Sequence, residues 1–122
     1  MALSYTVDEA LNIVRERWTG DVTAQALTAH WSAMAADSAA MACRGSLADV
    51  TESAIGFPGE ELQGLIRSIV IPALVGRGWK TAILVDRPVQ FGVARQYSVF
   101  STVANVSEVF TDPVLSEAWI LR

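Results

Sequence analysis

Apolar positions along the chain alternate between two spacings, one typical of strands and one typical of helices. The segments LSYTV and ALNIVRERWTG read as two β-strands separated by a turn near Asp8-Glu9. The two faces of the second segment carry Ile13, Arg15 and Arg17 on one side and Val14, Glu16 and Trp18 on the other. Because neither face is cleanly apolar, the pattern predicts an outer or half-covered strand that ends at Gly20-Asp21.

Three later segments predict further strands: SLADVTES (46–53), KTAILVD (80–86) and VSEVF. KTAILVD is apolar without alternation, which is typical of a strand that is covered on both faces. It is followed at once by Arg87-Pro88 and a segment with helical spacing.

Helical spacing predicts a helix after each of the last four strands. In TAQALTAHWSAMAADSA, Thr23 is a natural N-cap, and the apolar side carries Leu27, Trp31, Met34 and Ser38. GEELQGLIRSIVIPALVGRG is strongly helical, and Pro72 predicts a kink because its nitrogen cannot donate to the Ser68 carbonyl.

The remaining helices are VQFGVARQYSVFSTVAN and PVLSEAWILR. The predicted buried stripe of the first consists of Val89, Val93, Tyr97, Phe100 and Ala104. Asp112 followed by Pro113 is a typical start for the second, with an N-cap and proline at the first helical position.

The element order is therefore ββαβαβαβα. Parallel strands joined through helices need right-handed crossovers, so the pattern predicts an α/β fold: a mainly parallel sheet packed with four helices. At 122 residues, with no repeat or linker, the chain is expected to form a single domain, 1–122.

Composition narrows the possible partners. The net charge is −4 and the nine Lys and Arg residues do not cluster, which argues against a nucleic-acid partner. The longest apolar run, IVIPALV (69–75), is too short to cross a bilayer, so no membrane insertion is expected. One cysteine, Cys43, and no recognisable export signal favour a cytoplasmic location.

Four segments taken in order, WTGDVTAQAL, SLADVTES, KTAILVDRPVQFGVARQYSVF and VSEVFTDPVLSEAWI, resemble the SpoIIAA-like family. That family is related to the STAS domains of anti-sigma-factor antagonists and sulfate transporters, and its fold is often compared with the lipid-binding SEC14 domain. The resemblance runs from about Ile13 to the C-terminus. It implies a SpoIIAA/STAS-like fold and a role as a binding module or phospho-switch.

In anti-sigma-factor antagonists the phosphorylated serine lies in an Asp-Ser-x-Gly type motif at the start of a helix. The corresponding loop here is VTESAIGFPGEEL, in which Ser53 follows Glu52 and no Asp-Ser pair occurs. In another register Phe57-Pro58-Gly59 takes that position and no serine is present. The resemblance therefore offers Ser53 only as a departure from the family's pattern.

Polar residues at the predicted carboxyl ends of the strands form a candidate ligand site, since ligands of open α/β sheets bind there. The residues are Ser53, Asp86 and Arg95, the last about two turns into the following helix. The alternative is structural: Asp86 satisfies backbone N–H groups of its turn, Gly92 allows close helix-to-sheet packing, and Arg95 pairs with a surface carboxylate.

Catalytic and metal-binding residues are not predicted. His30 is the only histidine, so no His-paired metal site is available, and a nucleophilic pair of Cys43 with His30 has no third orienting group. No cofactor is expected.

These observations favour a non-enzymatic regulatory or binding module that takes a partner protein or a small apolar or anionic ligand. The alternatives are a SEC14-like carrier of a small lipid or apolar ligand and, third, an enzyme of unknown reaction using Asp86, Glu52 and Arg95. The high apolar content, with Trp18 on a half-covered strand, also suggests a homodimer.

Overall fold

Five strands form one mixed sheet in the computed structural model of the protein, which describes residues 2–122. The strands are β1 (Leu3–Asp8), β2 (Ile13–Val22), β3 (Gly45–Ile55), β4 (Trp79–Leu84) and β5 (Asn105–Phe110). Their spatial order is their order in the chain, with β1 antiparallel to β2 and all other neighbours parallel. The predicted α/β fold with a mainly parallel sheet is confirmed; Met1 of the predicted domain lies outside the described residues.

The helices are α1 (Ala24–Ala36), α2 (Ser38–Met41), α3 (Gly59–Leu65), α4 (Ile71–Leu74), α5 (Pro88–Phe100) and α6 (Pro113–Ile120). A π-helical segment, Ile66–Val70, joins α3 to α4, so residues 2–122 contain five helical segments where four were predicted. The additional one is α2. It separates from α1 at Asp37, whose side chain accepts hydrogen bonds from the backbone nitrogens of Ala39 and Ala40.

The irregularity predicted at Pro72 is a π-helical turn. Pro72 is the second residue of α4, directly after the π segment Ile66–Val70. Because proline has no N–H for the preceding turn, a local widening of the helix at this point has a clear cause. The N-caps predicted at Thr23 and Asp112 are confirmed, with their side chains accepting from the backbone nitrogens of Ala26 and Val114.

The two faces of the sheet are covered unequally. The main core lies between one face and α1, α3, the π segment and α5, and includes Val14, Leu27, Ile66 and Trp79. A smaller cluster lies on the opposite face, under α6. Its buried members are Ile120 of α6 and three strand residues that alternate along their strands with residues of the main core, Ile13, Leu47 and Ala82.

Of the two alternatives predicted for β2, the half-covered strand is right, because Val14, Glu16 and Trp18 are buried and Arg17 on the other face is exposed; the outer position and the end at Gly20-Asp21 are wrong. The strand lies between β1 and β3 and runs through Gly20 and Asp21 to Val22. Its register against β3 shifts between Arg17 and Thr19. The Val14, Glu16 and Trp18 face is buried throughout, because the charged residue in its centre has a buried partner.

The stripe predicted for α5 is wrong at its first position and right further along. Val89 is 66% exposed, whereas Gln90 and Ala94 are buried. Val93, Tyr97 and Phe100 pack against the core, and α5 ends at Phe100, so Ala104 is buried in the connection to β5. A buried glutamine is not recognised by an apolar pattern, and the helix is therefore rotated relative to the prediction.

Candidate ligand-binding site

A small cavity lies between the main-core face of the sheet and helices α1, α3 and α5. Its volume is about 40 Å³. Nearly all of its lining is aliphatic or aromatic; the side chains that carry a polar group other than an indole are Glu16, Thr81, Gln90 and Tyr97. A second cavity of about 30 Å³ lies beside it and shares Glu16, Trp31 and Tyr97 with the first.

Glu16 and His30 form a buried pair beside this cavity. Glu16 points from the middle of β2 toward α1, where His30 Nε2 lies 2.7 Å from Glu16 Oε1. Their side chains are only 5% and 4% exposed. The imidazole also contacts the rings of Tyr5 and Trp18 edge to face, at 5.8 and 6.3 Å between centroids. His30 does not line either cavity and thus lies behind Glu16.

The two oxygens of Glu16 differ in their surroundings. Oε1 also faces Trp18 Nε1 at 3.5 Å, and an indole nitrogen can only donate. Among residues 2–122 no group donates a hydrogen bond to Oε2. No fully enclosed side-chain nitrogen or oxygen in this part of the chain lacks a partner. Oε2 must therefore be accessible from the cavities that Glu16 lines.

Tyr97 faces Glu16 across the shared wall of the two cavities. Burial raises the pKa of the Tyr97 phenol to about 12, and the negative charge of Glu16 adds to the effect, while the hydroxyls of Thr81 and Ser101 act in the opposite direction. The Tyr97 ring also lies against Trp31, with 6.1 Å between centroids. A carboxylate and a neutral phenol are thus the polar groups shared by both cavities.

Gln90 connects the strand ends at one side of the cavity. Its Nε2 donates to the carbonyl oxygens of Thr51 and Ser53, both at 3.0 Å, and its Oε1 accepts from the backbone nitrogen of Asp86 at 2.9 Å. The side chain is buried on α5, two residues after Pro88 begins the helix. A single amide therefore ties β3 to the segment that follows β4.

The predicted site residues Ser53, Asp86 and Arg95 are placed as follows. Ser53 lies within β3, is 2% exposed, and donates from Oγ to the Val50 carbonyl at 2.7 Å. Asp86 is exposed and lies 3.8 Å from Arg87. Arg95 is also exposed, with its guanidinium 5.7 Å from the Phe91 ring centre. No ion pair joins Asp86 to Arg95 within residues 2–122, and Gln90 connects the backbones of Ser53 and Asp86.

The structural alternative for Gly92 is not supported either. Gly92 is exposed, and a Cβ at that position would meet no atom within 4 Å. Close packing does not require a glycine there.

The cavity approaches the surface between the β3–α3 connection and α5. Ile55, Phe57 and Val93 belong to its lining and are only half-buried, unlike Leu27, Val50 and Leu62 deeper inside. Gly59, which begins α3, lies against the Gln96 side chain of α5, so the loop rests on that helix. The residues on either side of Phe57, Gly56 and Pro58, are exposed, so the lining of the cavity comes nearest to solvent at this segment.

Glu16, Gln90 and Tyr97 were not predicted as site residues. Glu16 is one of thirteen acidic residues and was noted only as a charge on a mixed strand face. Gln90 has no sequence signature, and Tyr97 was assigned to a packing stripe. The usable signal was a mid-strand acid and the chain's one histidine, each within two residues of a tryptophan.

Comparison with known proteins gives no assignment: no protein-family model matches the chain, and no curated protein matches its sequence. In residues 2–122 no helix has the length and apolar character required to cross a bilayer. The same residues contain no group of three or more His, Cys, Asp or Glu side chains arranged to hold a metal ion.

Proposed function

We propose that this protein is a non-enzymatic binding module that holds a small, largely apolar ligand in the cavity between the sheet and helices α1, α3 and α5. The observation that carries the proposal is the lining: aliphatic and aromatic side chains surround one buried carboxylate that has an unused oxygen. Apolar walls with a few placed polar groups are typical of small-molecule sites.

The size of the cavity favours a small ligand over a lipid. A water-sized group needs about 10–15 Å³ of such space, so about 40 Å³ holds roughly three of them. A SEC14-like carrier has to enclose a long acyl chain, which would require α3 and α5 to separate. An anionic ligand is disfavoured because Glu16 would repel it.

Catalysis is a weaker proposal on the same geometry. Glu16 is the one charged residue of residues 2–122 that lines either cavity, and the other ionisable side chain of the lining, Tyr97, is a phenol whose pKa burial raises to about 12, so it stays protonated at neutral pH. Cys43 is buried, donates weakly to the Ala39 carbonyl, and burial raises the pKa of its thiol. That is the opposite of an activated nucleophile.

A SpoIIAA/STAS-like identity and a regulatory role remain part of the proposal. Support comes from the sequence resemblance and from the mainly parallel sheet with α6 on its second face. Because Ser53 is buried within β3, the ligand is a more suitable regulatory signal than phosphorylation of that serine. A homodimer is also proposed, since three valines are exposed near the edge strand β5: Val99 at the end of α5, Val103 in the connection and Val106 on β5.

The test is uptake of xenon, an apolar probe of suitable size for such a cavity. Under xenon pressure we expect methyl resonances of Leu27, Val50 and Ile83 to shift in a saturable way. Ala94→Leu fills the cavity from α5 and should abolish those shifts, whereas Ala29→Leu adds the same atoms at an exposed position of α1 and should not. Absence of xenon shifts in the wild type would refute the proposal.

A further inference from the structure

We propose that the ligand is a small organic ammonium ion, with a nitrogen that donates to Glu16 and a short hydrocarbon part that fills the apolar cavity. This inference rests on the proposed function and names the class of ligand. It follows from three features of the same site: an unused carboxylate oxygen, aromatic walls and the absence of a cation from the lining.

The first feature is the fixed orientation of Glu16. His30 Nε2 and Trp18 Nε1 both face Oε1, at 2.7 and 3.5 Å, and thereby set the direction of the carboxylate. Oε2 is left without a donor among residues 2–122 and is accessible from the cavity. A carboxylate oxygen in this state can only accept, so the ligand atom beside it must be a donor.

The second feature is the aromatic surround. Trp18, Trp31 and Tyr97 all line the cavity that Glu16 enters. The faces of indole and phenol rings attract ammonium groups, and tryptophan does so most strongly. Aromatic walls beside a carboxylate are suited to a cation that carries its own hydrocarbon, because both parts of the ligand are then contacted favourably.

The third feature is charge. Neither cavity is lined by a lysine, arginine or histidine among the described residues, so Glu16 faces the cavity space without a cation from the lining. A buried carboxylate is costly unless it is paired and hydrogen-bonded. A ligand ammonium would add a donor on Oε2, which His30 does not reach. Charge-assisted bonds of this kind are about twice as strong as neutral ones.

The cavity volume sets the length of the ligand. About 40 Å³ accommodates roughly three water-sized groups, which corresponds to a nitrogen with about two carbons. Longer chains would have to extend past Phe57 toward the surface. We therefore expect affinity to rise from methylammonium to ethylammonium and to level off or fall beyond it.

The experiment is an NMR titration of the wild-type protein with alkylammonium ions of increasing length, at constant ionic strength. Each amine is compared with the alcohol and the carboxylate of matched size, and the indole N–H signals of Trp18 and Trp31 report binding. We expect ethylammonium to bind at least about tenfold more tightly than the matched alcohol, and the carboxylate not to bind.

Glu16→Gln tests the role of the carboxylate, because glutamine keeps the shape and an acceptor for His30. We expect it to remove the preference for the amine while xenon still shifts the cavity methyl signals. Glu108→Gln removes an exposed carboxylate from β5 and should leave the amine affinity unchanged.

The possible outcomes separate the two proposals. If alcohols bind as well as amines, or carboxylates bind better, the ammonium assignment is wrong while xenon uptake still supports a binding module. If xenon does not enter, the binding module itself fails. Should Glu16→Gln not fold, the wild-type comparison of amine with alcohol decides the assignment by itself.

Discussion

His30 Nε2 lies 2.7 Å from Glu16 Oε1 in the interior of the protein, and each side chain is the buried polar partner of the other. The pair joins β2 to α1 across the main core. Removing one member of a buried pair destabilises the protein more than removing one member of a surface pair, because the remaining group stays away from water.

His30→Ala should lower the free energy of unfolding by about 3–5 kcal/mol, since it leaves Glu16 buried without its partner. The measurement is urea denaturation at neutral pH. Replacing both residues with leucine should recover most of the loss. Arg17→Ala is the control: Arg17 lies 3.1 Å from Glu52, but both side chains are more than 60% exposed, so the cost should stay below about 1 kcal/mol. Equal losses for the two variants would contradict a special role for the buried pair.

Gln90→Ala should lower stability by about 2–4 kcal/mol, at roughly 1 kcal/mol for each of the three hydrogen bonds lost. Hydrogen exchange of the Asp86 amide should accelerate in the same variant, because Gln90 Oε1 is its acceptor. Gln25→Ala removes an exposed glutamine from α1 and should change stability by less than about 0.5 kcal/mol. A Gln90 variant as stable as the Gln25 variant would show that the amide connection is dispensable.

Tyr97 should ionise about two pH units above an ordinary tyrosine, since burial raises the pKa of its phenol to about 12. The folded state then binds more protons than the unfolded state between about pH 10 and 12. The contribution of Tyr97 to the free energy of unfolding is therefore fully present below pH 10 and is lost as the pH rises through 12. Ultraviolet titration of phenolate measures the ionisation, and Tyr97→Phe identifies the transition. Glu16→Gln should lower the Tyr97 pKa; no change would mean that the two groups do not interact.

Gly45→Ala should destabilise the protein by about 1–3 kcal/mol or more, because the new Cβ would overlap the Lys80 carbonyl on β4. Gly92→Ala makes the same change on α5, where a Cβ meets no atom within 4 Å, and should stabilise by about 0.5–1 kcal/mol. Thermal unfolding of the two variants checks both directions. A stabilised Gly45 variant would contradict the close approach of β3 to β4.

Features of the fold that depend on neighbouring residues could be predicted from the sequence, whereas features that depend on distant contacts could not. Thr23, Asp112 and Pro72 act locally, through a cap or a missing N–H, so their effects could be read from the sequence. Val14, Glu16 and Trp18 could not, because burial of Glu16 depends on His30, fourteen residues away and on another element.

The site was harder to predict for the same reason. Gln90 bonds carbonyl oxygens 37 and 39 residues earlier in the chain, and no local pattern records that contact. Ser53, Asp86 and Arg95 were selected by their expected nearness to strand ends. That nearness is partly realised, since Gln90 links the backbones of Ser53 and Asp86, but the accessible buried carboxylate belongs to β2.

The sequential order of the strands has a consequence for biosynthesis. Every strand pairs with the one made immediately before it, so a chain emerging from the ribosome can add each new strand to an edge that already exists. Glu16 and His30 are both synthesised before β3, and the residues of β3, β4 and α5 that enclose the cavity follow later. During synthesis the proposed binding site is thus assembled around a carboxylate whose partner, His30, has been present since α1 was completed.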